Sequence, residues 1–435
     1  MQFKLLSLQK NSMTARNIEV MAPAGSFASL QAAIQGGANA VYFGVGHLNM
    51  RANSSQNFTL TDLEDITRRC RRQDVRTYLT MNTIVYDNEL ASVEGTLQAA
   101  AHAGVDAVIA SDFAVINIAR QLRLTVHIST QSNITNIEAV KFFSQFADVM
   151  VTARELNLNQ VAAITRQIEE QQIKGPSGQL VRIEVFAHGA LCMAVSGKCY
   201  LSLHTMNSSA NQGACLQPCR RTYEVKDKES DTAMEVDQEY IMSPKDLKTV
   251  HFLNKIVDAG VRVLKIEGRG RSPEYVKTVS RVYRQAADAV CSGTFNEQRI
   301  AEWEKELHKV YNRGFWNGYY LGQRLGEWTE KYGSQATRKK FYLGKITNFY
   351  GRIGVAEVKI ETNEISVGDE VMVIGETTGV YEDKVREIRV DLRPVEQARK
   401  GEVFSVPVKE QLRRGDKMYI LRQQHHEQVD FLNKT

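Results

Sequence analysis

Three things are scarce in this chain of 435 residues: long apolar runs, cysteine and net charge. No stretch approaches the roughly 18 uninterrupted apolar residues needed to cross a bilayer, so no membrane span is expected. The opening MQFKLLSLQKNSMTARN has too short an apolar run for a signal peptide and no small-residue cleavage site. Residues 1–16 therefore read as a flexible tail, with Met13 as a second candidate start. Six cysteines are far too few for a disulfide scaffold. That points to the cytoplasm, where thiols stay reduced and clustered cysteines bind metal or do chemistry. A net charge of +5 permits a polyanionic partner without demanding one. HExxH and GxSxG are missing, and no GxGxxG follows the first apolar run, which counts against a zincin helix, a serine-hydrolase elbow and a Rossmann domain.

What is present is a regular alternation. Short apolar runs at 19–24, 40–44, 75–82, 106–111, 124–129, 148–153, 182–188 and 262–268 read as strands. Helix-period stretches between them include 26–36, 88–103, 135–146 and 157–171. A phrase recurs where helix gives way to strand, in GGANAVYFG, AGVDAVIAS, FADVMVTAR and AGVRVLKIEG. Glycine is expected to close the preceding helix, and the apolar run after it to be buried on both faces, as parallel strands are. Eight such strands predict an α/β fold, a (β/α)8 TIM-like barrel over 17–335. Between strands 7 and 8 the spacing swells to more than 70 residues. This insertion, at about 189–245, leaves the barrel from its C-terminal face, where active sites of the fold sit. From 336 to 435 the texture turns to period two with Gly and Asp at the turns, which predicts a small C-terminal all-β barrel domain.

The insertion holds the main anomaly. Cys192, Cys199, Cys215 and Cys219 fall within 28 residues, spaced C-x6-C-x15-C-x3-C in a setting rich in Gly, Ser and Asn. Zinc usually shows C-x2-C knuckles, which are missing here. Irregularly spaced thiolates suit an iron–sulfur cluster at least as well, and zinc stays open as the alternative. Cys192 with His188 also reads as a thiol nucleophile and its base, although a protease needs one reactive thiol rather than four. Cys70 and Cys291 have no neighbouring cysteine and read as structural.

Other candidates lie at strand ends: Asn82, Asp112, Ser129, Gln131, Arg154, Glu155 and the set Lys265, Glu267, Arg269 and Arg271 in LKIEGRGR. A barrel needs no such polar residues there for stability, and guanidinium groups after the eighth strand fit an anionic substrate. The aromatic stretch YNRGFWNGYYLG (311–322) reads as interdomain packing or as a stacking platform for bases. The RRCRR run (68–72) reads as a solvated face.

EVFAHGALCMAVSGKC, GACLQPCRR and LKIEGR together closely resemble the collagenase-like peptidases, the U-32 family. MAPAGSFASLQAAIQGGANAVYFG and VTARELNL resemble its other signatures, and the likeness spans about 17–330. Despite the family's name, its better understood bacterial members hydroxylate RNA, and this chain looks most like the prephenate-dependent tRNA uridine 5-hydroxylases. The resemblance implies formation of 5-hydroxyuridine at the wobble position of a tRNA anticodon loop, and a [4Fe-4S] cluster on Cys192, Cys199, Cys215 and Cys219. On that reading, the strand-end positions make Arg154, Lys265, Arg269 and Arg271 the residues expected to bind the carboxylates of prephenate or an RNA phosphate, and His188 and Glu267 those expected to transfer protons. Val195 stands where many relatives have tyrosine.

Overall fold

The computed structural model describes residues 18–52, 57–221, 243–323, 325–329 and 333–424. The expected tail at 1–16 and part of the expected insertion lie outside them.

All eight expected barrel strands form. They are β1 (Glu19–Pro23), β2 (Ala40–Phe43), β3 (Arg76–Met81), β4 (Ala107–Ala110), β5 (Thr125–Ile128), β6 (Val149–Val151), β7 (Arg182–Gly189) and β9 (Val263–Ile266). Each pairs in parallel with the next, and β9 closes the ring on both β7 and β1. Helices α1 (Phe27–Gln35), α2 (Leu63–Arg71), α3 (Leu90–Ala103), α4 (Phe113–Gln121), α5 (Ile137–Ser144) and α6 (Leu158–Glu170) alternate with the strands. Their starts are set locally. Ser26, Asp112, Asn136 and Asn157 sit in extended backbone and accept a first-turn N–H, which satisfies donors that a helix start leaves orphaned. Gly104 closes α3 with a left-handed φ of 71°. The glycine expectation fails for FADVMVTAR, whose helix ends at Gln145 in ordinary right-handed backbone.

Two apolar layers hold the barrel. Leu30, Phe43, Leu63, Ile66, Leu97 and Val108 pack between sheet and helices, fully or almost fully buried. Met21, Tyr42, Tyr78, Ile109, Val149 and Val263 fill the interior. Towards the N-terminal end the interior turns polar. Glu19 accepts from Tyr78 Oη at 2.6 Å, Arg76 at 2.6 Å and Arg182 at 3.2 Å. Lys265 Nζ donates to Glu184 Oε1 at 2.8 Å, with both side chains buried.

The chain returns from the insertion through β8 (Asp246–Lys248), and β10 (Phe315–Trp316) joins the same sheet after the last helix of this domain; both strands are too short to show a period in the sequence. β8 runs antiparallel to the end of β7, and β10 adds to it in parallel. The aromatic stretch therefore extends the barrel sheet and is not an interdomain layer. Tyr320 Oη, for example, donates to Phe186 O inside the barrel domain at 2.8 Å. Helices α7 (Leu201–Met206) in the insertion, then α8 (Leu253–Asp258), α9 (Pro273–Ser292) and α10 (Glu297–Lys309), complete this half.

From Arg338 the chain is antiparallel β structure around a core of its own that includes Leu343, Val358, Val373 and Phe404. It docks on the barrel through α1 and α9. Gln35 Nε2 donates to Thr378 O at 2.8 Å, and Lys277 Nζ to Val380 O at 2.6 Å.

Candidate functional site

A cavity of about 360 Å³ opens where the C-terminal ends of the barrel strands meet the insertion. All four clustered cysteines line it, together with Arg51, Arg154, Arg220, Lys265, Arg269, Arg271 and Arg313. Glu267 is the one carboxylate among the lining residues, so seven cations face a single anion there. Asp246 and Glu184 stand behind, each paired to members of the ring.

Glu267 organises this ring. Strand alternation points Val263, Lys265 and Glu267 inward, and Glu267 Oε1 accepts from Arg51 Nη2 at 3.0 Å. Its Oε2 accepts from the Ala190 N–H at 3.3 Å, the residue that begins the insertion. Burial alone would raise the Glu267 pKa, but the charges of Arg51, Arg271 and Arg154 outweigh it and hold the carboxyl at about 2. A group so acidic is a fixed anion at neutral pH. An efficient acid or base needs a pKa near the working pH, so this low value favours a charge-pairing role for Glu267 over the expected proton transfer.

The anion-binding candidates are brought together as expected. Arg154 lies over the Phe186 ring at 3.7 Å and donates to Ala190 O at 3.1 Å. Its buried Nε has no partner among the described residues. Arg269 is buried, with Nη1 on Thr80 Oγ1 at 3.1 Å and Nη2 on Asn49 Oδ1 at 2.7 Å. Burial pulls its pKa down to about 10. Arg271 pairs with Asp246 at 3.2 Å and stacks on Tyr311 at 3.8 Å. Lys265 reaches the floor of the cavity from its pair with Glu184.

His188 does not join them. It shares strand parity with Glu184 and Phe186, so simple alternation points it inward. A β-bulge between Phe186 and His188 shifts the register against β9, so that His188 pairs with the outward-facing Ile266. The imidazole is 2% exposed and lies among the rings of Tyr275, Tyr283 and Phe315, with Nδ1 3.3 Å from Tyr283 Oη. Burial, with Arg271 and Lys248 nearby, lowers its pKa to about 3. His188 therefore stands outside the cavity lining that a proton carrier would need to reach, and its hydrogen-bond partner is Tyr283, not Cys192. No histidine is found among the described lining residues.

Several site residues carried no signal in the sequence. Arg51 and Asn49 come from the loop after β2, and Asn49 is completely buried beneath Arg269. That loop is pressed against the insertion. A Cβ at Gly213 would stand 2.0 Å from Asn49 O, and Gly213 itself holds φ +75°, so only glycine fits. Arg220 spans the insertion. Its guanidinium donates to Leu191 O at 2.6 Å, Ser243 Oγ at 2.9 Å and Pro244 O at 3.0 Å. Of the polar strand ends, Asn82 bonds Ser129 Oγ and Gln131 Oε1 at 3.3 Å each on the cavity wall, whereas Asp112 caps α4. Val195 is exposed at the rim and does not line the cavity.

The four thiols are free, with Cys192 exposed and the others half-buried. Burial raises the Cys219 pKa; Arg220 lowers it, and Cys192, Cys215 and Cys199 each raise it further, so the four groups feel one another. No three Cys, His, Asp or Glu side chains among the described residues stand close enough to hold a metal ion together. The donor set nonetheless suits a four-thiolate group, because four unpaired thiols share one cavity wall beside cations that offset thiolate charge. Cys70 is buried with its pKa raised to about 12 by desolvation, an inert structural thiol.

A closed ring of eight parallel strands with a cavity at its C-terminal face belongs to the (β/α)8 class, whose sites are built on that face. Within that class the chain belongs to peptidase family U32, whose family model matches residues 25–330. Three relatives show how its members are named. A collagenase of Porphyromonas gingivalis is 56% identical over 407 residues, covering 94% of this chain and 98% of that protein. The tRNA hydroxylation protein P1 of Bacillus subtilis is 31% identical over 365 residues, 82% of this chain and 83% of that one. The 23S rRNA 5-hydroxycytidine C2501 synthase of Escherichia coli is 33% identical over 324 residues, 73% of this chain and 47% of that one. No helix among the described residues is long and apolar enough to cross a membrane.

Proposed function

We propose that this chain is an RNA hydroxylase that forms 5-hydroxyuridine at the wobble position of tRNA, with prephenate as cosubstrate. The observation that carries the reading is the cavity lining, seven cations and four free thiols around one carboxylate and no histidine among the described residues. Such a lining attracts a polyanion and lacks the base that an acyl-transfer nucleophile needs. The names of the Bacillus subtilis and Escherichia coli relatives support hydroxylation of RNA. Cys192, Cys199, Cys215 and Cys219 would hold a [4Fe-4S] cluster, which supplies electron transfer when bound. Arg51, Arg154 and Arg269 bind carboxylate or phosphate oxygens, and Glu267 offsets the repulsion among the guanidinium groups and orients Arg51.

The test is nucleoside mass spectrometry of total tRNA from a deletion strain complemented with wild-type, Cys192→Ala or Cys215→Ala protein. Iron and sulfide are measured on the anaerobically purified chains. Wild type restores 5-hydroxyuridine and its derivatives and carries iron with sulfide; the variants do neither. Zinc without sulfide in the wild type would replace the cluster. Unchanged hydroxylated nucleosides in the deletion strain would sink the reading.

The 56% identical relative named a collagenase favours a second reading, peptide-bond cleavage. It requires cluster-free protein to digest gelatin and one substitution at the cavity to abolish digestion.

A further inference from the structure

The cavity has room for one small group, so most of any polymeric ligand must lie on its rim. Three aromatic side chains stand exposed there, Tyr200 at 73%, Phe113 at 57% and Tyr86 at 53%. Their positions are tied to the cavity wall. Tyr200 lies between Cys199 and Leu201, which both line the cavity. Tyr86 and Phe113 follow the C-terminal ends of β3 and β4. Their loops are joined by Val85 N–H to Asp112 Oδ2 at 3.1 Å and Ser111 Oγ to Asn82 O at 3.1 Å. Ile84 N–H donates to Asn211 O at 3.1 Å, which fastens the same loop to the insertion that carries Tyr200.

Exposed aromatics at a barrel mouth contribute nothing to the core, and each costs hydration of an apolar face. They stand beside a strongly cationic cavity, which selects a polyanion. A polyanion with aromatic faces to offer is a nucleic acid with unpaired bases. We infer that Tyr86, Phe113 and Tyr200 form a stacking rim for the unpaired nucleotides that flank the one entering the cavity, so that the ligand is an RNA loop and not a duplex. This rests on the RNA reading above and adds to it the surface that recognises single-stranded character.

The experiment is fluorescence anisotropy with a labelled RNA hairpin carrying an unpaired loop, and with a blunt RNA duplex of equal length. Wild type, Tyr200→Ala, Tyr200→Trp and the double variant Tyr86→Ala/Phe113→Ala are compared after their thermal midpoints are checked. Each alanine variant is expected to bind the hairpin about tenfold more weakly, Tyr200→Trp to retain binding, and the duplex to bind weakly to all four chains. Alanine variants that bind the hairpin as well as wild type overturn the rim and leave the RNA reading standing. Alanine variants that lose hairpin and duplex equally also overturn it, since stacking on free bases would not be involved. A wild-type chain that binds neither RNA overturns the RNA reading and the rim with it. Binding of a gelatin peptide that Tyr200→Ala abolishes, with RNA binding untouched, makes the rim a protein-docking surface and overturns the inference.

Discussion

Arg51 Nη2 meets Glu267 Oε1 at 3.0 Å across 216 positions of chain, joining the loop after the second barrel strand to the end of the eighth. Replacing Glu267 with Gln keeps the shape and removes the charge that Arg51, Arg271 and Arg154 share. The expected result is a loss of RNA hydroxylation of about 100-fold, the scale of removing one preorganised electrostatic element. Inorganic phosphate should bind more tightly to the unopposed guanidinium groups. Nucleoside mass spectrometry of a complemented deletion strain reads the first and calorimetry the second. Wild-type hydroxylation in Glu267→Gln would remove Glu267 from the site's working parts.

Lys265 and Glu184 are an ion pair sealed inside the barrel, with side chains 7% and 0% exposed. Lys265→Met strands a buried carboxylate and should cost about 3–5 kcal/mol in urea unfolding. Lys265→Met/Glu184→Leu should recover most of that loss, because an apolar pair leaves no charge uncompensated. A single variant as stable as wild type contradicts this account.

Acid stability should carry the mark of His188. Its folded pKa of about 3 lies below the ordinary 6.5, so between those values the unfolded chain takes up a proton that the folded chain refuses. Stability therefore falls as pH drops from about 6.5 towards about 3. Glu267 adds a further loss only as pH falls from its ordinary 4.5 through about 2, where its ion pairs are discharged. His188→Phe should flatten the slope between pH 6.5 and 4.5, at a packing cost of about 1–3 kcal/mol. Urea midpoints across that range decide it, and parallel slopes for variant and wild type would refute it.

Arg220 bonds both Leu191 O and Pro244 O and so ties the entry of the cysteine segment to its exit. Arg220→Ala leaves two buried-side carbonyls without their donor, worth about 1–3 kcal/mol each. Amide exchange should accelerate through 190–221 while β1–β6 keep their protection. Uniform acceleration across the barrel would point instead to global destabilisation.

Much of the architecture is legible without coordinates. Eight apolar runs, their helical spacers and the helix-capping residues are local patterns, and each barrel strand lies within about one or two residues of its expected bounds. The C-terminal-face placement of the cysteines follows from where the long connection interrupts that alternation. β8 and β10 escaped because three and two residues cannot display a period. Arg51 and Asn49 escaped because nothing in their own neighbourhoods distinguishes them from loop residues, while Arg220 and Arg313 lie in stretches marked by their cysteines and aromatics, GACLQPCRR and YNRGFWNGYYLG, with nothing local to show that their own side chains reach the cavity.

Strand and helix periods and loop positions are written residue by residue, and they specify the barrel, the thiol-rich insertion and the cationic eighth strand. Which polar residues share the cavity depends on how the folded chain packs. A single β-bulge turned His188 away from Phe186 and into an aromatic shell. Packing of the loop after β2 against Gly213 carried Arg51 and Asn49 to Glu267 and Arg269. Register shifts and loop docking are settled by contacts between residues far apart in the chain, and no local period records them.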